Sequence, residues 1–125
     1  MILYDTAFSP PAPVVDLMVQ NADEPTRQIG VRMQIDTAAD LTLIPESAVS
    51  ALNLTPEGDT PIADYRGVIE MHPVYHIIMR IDRYVIHVPR VATIADQTGI
   101  LGRDILRGFT LTLRGKDQTF DIVDP

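Results

Sequence analysis

The chain of 125 residues contains no cysteine, which excludes disulfides, thiolate metal sites and a thiol nucleophile together. It also lacks an excess of positive charge. Lys plus Arg number 10 against 17 Asp plus Glu, a formal net charge of -7. Nucleic acid and anionic lipid both select a basic surface, so neither is expected as a partner. No uncharged apolar run approaches the roughly 18 residues of a membrane-spanning helix. Met1-Ile2-Leu3-Tyr4-Asp5 has no basic stretch leading into an apolar one, as a secretory signal would. Hydrophobic residues at 46% and charged residues at 22% match a soluble globular protein with one modest core. The expectation is a single cytoplasmic domain, residues 1–125, with no nucleic-acid or membrane partner.

What the chain has is punctuation. Ten Pro and seven Gly in short clusters divide it into brief segments, which points to mostly β structure with one or two short helices. Ser9-Pro10-Pro11-Ala12-Pro13 is an extended lead-in to a strand at 14–19, with a turn at 21–25. From Ile29 the alternation is clean. Val31, Met33 and Ile35 share one face and Arg32 and Gln34 the other, so this strand delivers Asp36 at its C-terminal end. A short apolar segment at 41–44 precedes a helix at 45–52, with Pro45 expected at its first position. A loop at 55–60 leads to strands at 62–69 and 74–81, with 70–73 between them. Asp82-Arg83 turns into a strand at 84–91, where Pro89 predicts a sheet edge or a bulge. A short helix is expected to open at Gly102 and stop at Gly108. Strands at 109–113 and 118–123 close the chain around Gly115-Lys116-Asp117. The termini are expected to be loose unless a second copy pairs with them.

Two strings carry chemistry. Asp36-Thr37-Ala38-Ala39-Asp40 is followed by Ile100-Leu101-Gly102-Arg103-Asp104. Alone, an Asp-Thr pair after a strand usually marks a turn or a helix cap. Gly-Arg-Asp alone is as often the start of a helix with a surface ion pair. Together, in this order, with a Pro-led helix and a flap-like segment between them, they resemble the retropepsin-like family of single-lobed aspartic proteases. That resemblance implies a closed β-barrel of the acid protease type, one lobe per chain. It also implies a C2 homodimer acting as an aspartic endopeptidase on extended peptide or protein substrates, with no metal or organic cofactor. A chain with one such aspartate must find a second copy to assemble two carboxylates.

Carried over onto this sequence, the resemblance makes Asp36 the catalytic carboxylate. Thr37 hydrogen-bonds across the dimer axis, Ala39 packs beneath the site, and Asp40 contacts substrate backbone. Ala38 stands where the family has Gly, and its methyl narrows the space for substrate while removing torsional freedom. Gly102 lies under the active-site loop, Arg103 forms an ion pair with Asp40, and Asp104 completes the supporting motif. Ile100 and Leu101 line the pocket or its floor. The flap falls at 63–69 with Gly67 at its tip, and Tyr65 or Arg66 closes over peptide. Residues 1–4 and 120–123 are candidates for strand pairing between subunits. Ala38 leaves a second reading open: the same fold kept as a dimerisation or peptide-binding module with weak or no catalysis.

The other reactive side chains have plainer readings. His72 and His76 are expected to share one face of a strand, without a metal. Asp5, Asp16, Asp117 and Asp124 read as solvated surface, and Met71 and Met79 as core filler.

Overall fold

The computed structural model describes residues 1–124. Its elements in chain order are β1 (Ile2–Leu3), β2 (Val14–Asn21), β3 (Gln28–Ile35), β4 (Leu43–Pro45), α1 (Glu46–Ala51), β5 (Asp59–Ala63) and β6 (Ile69–Pro73). They continue with β7 (Tyr75–Ile81), β8 (Tyr84–Ile94), β9 (Thr98–Leu101), α2 (Arg103–Leu106), β10 (Thr110–Arg114) and β11 (Thr119–Val123). Six strands close a barrel in the order β2-β3-β9-β4-β8-β7. A hairpin of β5 and β6 stands outside it, and β1, β11 and β10 form a separate three-stranded sheet.

The alternation in β3 behaves as its period requires. Val31, Met33 and Ile35 are buried with Val15, Leu17, Val19, Ile44, Ile77, Met79, Val91 and Leu101 in one core, while Arg32 is exposed. β3 runs parallel to β9, with Ile35 opposite Leu101. The close approach of β9 to β4 depends on Gly99, where an added Cβ would stand 2.6 Å from the Leu43 carbonyl oxygen. Phe120, fully buried, packs the three-stranded sheet onto the barrel.

Several expectations are corrected. The strand read at 62–69 is a hairpin bend: β5 begins at Asp59, the chain turns through Asp64–Gly67, and the connection read at 70–73 is β6. The turn is built by a side chain. Asp64 Oδ1 accepts the Arg66 and Val68 backbone N–H groups at 2.8 and 3.1 Å, and Gly67 takes φ +80°. His72 and His76 consequently lie on different strands, beside Glu70 and Glu57 respectively. Met79 is fully buried, whereas Met71 is 62% exposed on the hairpin.

Pro45 is extended (ψ 140°) and caps α1 from outside instead of occupying its first turn. Asp5 is no solvated carboxylate. Its side chain is 13% exposed and pairs with Arg32 at 2.9 Å. The N-terminal segment is tied down within its own chain, since Ile2 and Leu3 pair with Phe120 and Thr119. β8 continues to Ile94, past the expected end at 91. The irregularity expected at Pro89 is present: Tyr75 faces Val91 but Ile77 faces Val88, so β8 carries one extra residue there.

Candidate active site

The loop after β3 is fixed by bonds that begin in the barrel. Asp36 N–H donates to the Leu101 carbonyl at 3.1 Å, which extends the β3–β9 ladder by one rung. The Asp36 carboxylate folds back on its own loop, where Oδ1 accepts the Ala38 N–H at 2.9 Å. Its Oδ2 takes no hydrogen bond among the described residues. Asp36 is half-buried, and Thr37, Ala38 and Asp40 are exposed. Ala38 has no positive φ, so the loop does not need the torsional freedom of glycine there. Only the methyl itself distinguishes this loop from one with Gly.

Beneath the loop sits the start of α2. A Cβ on Gly102 would meet the Leu41 carbonyl carbon at 2.9 Å and the Ala39 oxygen at 3.1 Å, so only glycine fits. Arg103 N–H donates to the Ala39 carbonyl at 2.9 Å. Its guanidinium Nη1 donates to the Thr37 carbonyl at 2.8 Å. The ion pair expected between Arg103 and Asp40 is therefore absent among the described residues. The Thr37 carbonyl points down at α2 and takes the guanidinium, while Asp40 turns outward.

Thr42 completes the clamp. It is fully buried between the loop and α2. Its hydroxyl accepts the Gly102 N–H at 3.0 Å and donates to Asp104 Oδ1 at 2.7 Å. Its backbone N–H donates to Asp104 Oδ2 at 3.1 Å. A buried hydroxyl that both donates and accepts has no polar group left without a partner. Nothing in the sequence marked Thr42, because its partners lie 60 and 62 residues away.

A cleft of about 630 Å³ opens between this loop and the β5–β6 hairpin, within the usual range for ligand sites. Ala38, Ala39, Asp40, Leu41 and Leu43 form one wall. Thr60 to Ala63, Ile69 and Arg90 form the other. Tyr65, Arg66 and Gly67 sit at the hairpin tip, beyond these walls, and Tyr65 is 97% exposed. Ile100 is half-buried on β9, and Leu101 is fully buried in the core, away from the cleft. Leu43, Thr60 and Arg90 were not singled out in the sequence.

A second cavity of about 460 Å³ lies behind α2, between Arg83–Ile86 and Arg107–Phe109. It contains no residue of the 36–40 loop.

At the hairpin tip the Arg66 guanidinium, 2.8 Å from Asp64 Oδ2, holds the Asp64 carboxyl below its ordinary value. The backbone N–H groups of Arg66 and Val68 add to this.

This architecture has solved counterparts. The EIAV protease complexed with the inhibitor HBY-793 superposes with a TM-score of 0.58 at 19% identity, covering 77% of this chain and 86% of that one. The foamy viral protease-reverse transcriptase in complex with RNA/DNA hybrid superposes at 0.57 and 19% identity, covering 82% of this chain and 13% of that one. No family model and no curated protein matches the sequence. At these identities the likeness is one of fold: a closed six-stranded barrel with two short helices, shared with retroviral proteases.

Proposed function

We propose that the chain is one half of an aspartic endopeptidase, completed by a second copy across a two-fold axis. The observation that carries this reading is a carboxylate with a free oxygen, Asp36 Oδ2, on a loop clamped from below and flanked by a hairpin-walled cleft. A single carboxylate on a rigid loop does not hydrolyse a peptide. Two in contact do, because both cannot be charged, and the pair holds one proton between them. The resulting acidity belongs to the pair.

In the dimer the ionised Asp36 takes a proton from a water molecule as the water oxygen attacks the scissile carbonyl carbon. The protonated Asp36 of the other copy gives its proton to the carbonyl oxygen, producing a tetrahedral diol. The first Asp36 then returns its proton to the amide nitrogen. As the C–N bond breaks, a diol hydroxyl proton passes to the second Asp36. The products are a carboxylic acid and an amine, and the dyad ends with its single proton.

The clamp of Gly102, Arg103, Asp104 and Thr42 keeps the loop from relaxing as charge moves, which is how a fixed site lowers a barrier. Thr37, exposed on the loop, bonds in this reading to the other copy's loop. Ala39 and Asp40 meet substrate backbone in the cleft, and the β5–β6 hairpin closes over an extended peptide that pairs as an added strand.

Cleavage of an unfolded protein between about pH 3 and 7 tests the proposal. Wild type is expected to cut and Asp36→Asn to be silent; equal cleavage by both removes Asp36 from the chemistry.

A non-catalytic dimerisation or peptide-binding module is the second reading, favoured by one feature: the Ala38 methyl lines the cleft. Ala38→Gly separates the two. Activity gained from a silent parent supports the module, and robust parental activity disposes of it.

A further inference from the structure

The cleft holds two charged residues, Asp40 and Arg90, and the peptidase reading assigns work only to the first. We infer that Arg90 determines specificity, making the subsite against β5 select an acidic side chain, Asp or Glu, in the bound peptide. The inference rests on the proposed peptide-binding cleft.

Arg90 owes its direction to the bulge in β8. In an unbroken strand residues alternate, so the buried Val88 would be followed by an inward residue 90. The extra residue between Val88 and Val91 breaks that parity. Val88 and Val91 are both buried, and Pro89 and Arg90 both face outward. Bulges re-aim side chains in this way beside sites.

The guanidinium is then oriented by one bond, Nη2 to Thr60 Oγ1 at 2.8 Å. Thr60 is buried at the base of the hairpin. Among the described residues no carboxylate pairs with Arg90, as is true also of Arg80, Arg83, Arg103 and Arg107, but of these five only Arg90 lines the cleft. Arg90 lines the cleft together with Pro61, Ile62 and Leu43, and no other hydrogen bond engages its guanidinium among the described residues. A fork of donors held in place beside apolar walls matches a carboxylate in geometry and charge. Asp40 makes no ion pair with it, so the two opposite charges address different parts of an extended chain.

Short degenerate peptide mixtures, blocked at both ends so that only side chains carry charge, test this. One position is fixed in turn as Glu, Gln or Lys. The Glu-to-Gln ratio is read as cleavage by the wild type and as retention on immobilised Asp36→Asn chain. At one position Glu is expected to exceed Gln by about tenfold. Arg90→Lys should keep that order, and Arg90→Glu should reverse it in favour of Lys. Circular dichroism establishes that each variant is folded.

Cleavage with the same profile in wild type and Arg90→Glu overturns the inference and leaves the peptidase reading standing. Retention that reverses with Arg90→Glu, without cleavage by any form, supports the inference and removes catalysis. Absence of both cleavage and retention overturns both.

Discussion

The 36–40 loop and the β5–β6 hairpin face each other across one cleft but are held in opposite ways. The loop is secured by residues distant in sequence: the Leu101 carbonyl, Arg103 N–H and guanidinium, and Thr42 with Asp104. The hairpin is secured mainly by itself, through its own ladder and the Asp64 turn. Arg90–Thr60 ties its base to the barrel. Tyr65, Ile69 and Met71 on it are 97%, 66% and 62% exposed. A charged catalytic group gains from a frame that does not reorganise. A lid gains from having few buried contacts to break. The difference is that between a floor tied to the barrel and a wall tied mainly to itself.

The largest effect that sharpens this contrast is on the floor itself. Asp36→Asn is expected to lower kcat on the order of a thousandfold or more while leaving the thermal midpoint unchanged. The pair of measurements separates chemistry from folding.

Next comes Gly102→Ala. Its methyl would run into the backbone of Leu41 and Ala39, and overpacking of this kind costs about 1–3 kcal/mol. Urea unfolding should show that loss together with lost activity. An unchanged midpoint would mean that the loop is not packed on α2.

Thr42→Val keeps the shape but strips the hydroxyl from Gly102 N–H and Asp104. Leaving buried groups without partners costs about 1–3 kcal/mol. Breaking the hairpin turn with Asp64→Ala should barely move stability and act on KM instead. If Thr42→Val and Asp64→Ala shift the urea midpoint equally, floor and wall are not different in kind.

The smallest effect is the hairpin's response to acid. Arg66 depresses the Asp64 carboxyl below its ordinary value, so the turn's contribution is complete above the ordinary carboxylate pKa. It is lost as pH falls through the depressed one. Amide NMR signals of Arg66 and Val68 should therefore move only in acid stronger than that which titrates an unpaired aspartate. Movement beginning near neutrality would assign the turn to another group.

How much of this could be read from the chain follows the same division. β3 and Asp36 were legible because a period of two over Val31, Met33 and Ile35 leaves one register. Gly102 was legible only through the resemblance of its motif, and the structure supplies the physical reason, since a Cβ there has no space. The partner of Arg103 was not. A sequence names the donor, but whether the acceptor is the Asp40 carboxylate or the Thr37 carbonyl depends on how the loop turns. The flap expected at 63–69 with Gly67 at its tip falls on the hairpin turn, but the pattern of residues alone gives one strand at 62–69 because the bend is made by an aspartate side chain rather than by a Gly-rich turn. Thr42 and Arg90 were invisible for a topological reason. One depends on partners 60 and 62 residues away; for the other the bulge at Pro89 was expected, but its partner Thr60, 30 residues away, was not.

A site shared between two copies has a signature that no single-chain site can imitate. Wild type at fixed concentration is mixed with an equal amount of Asp36→Asn chain, allowed to exchange, and assayed for peptide cleavage. If every active site needs one Asp36 from each copy, random pairing should cut the activity to about half, and larger excesses should lower it further. Activity that stays constant however much Asp36→Asn is added would contradict a shared dyad.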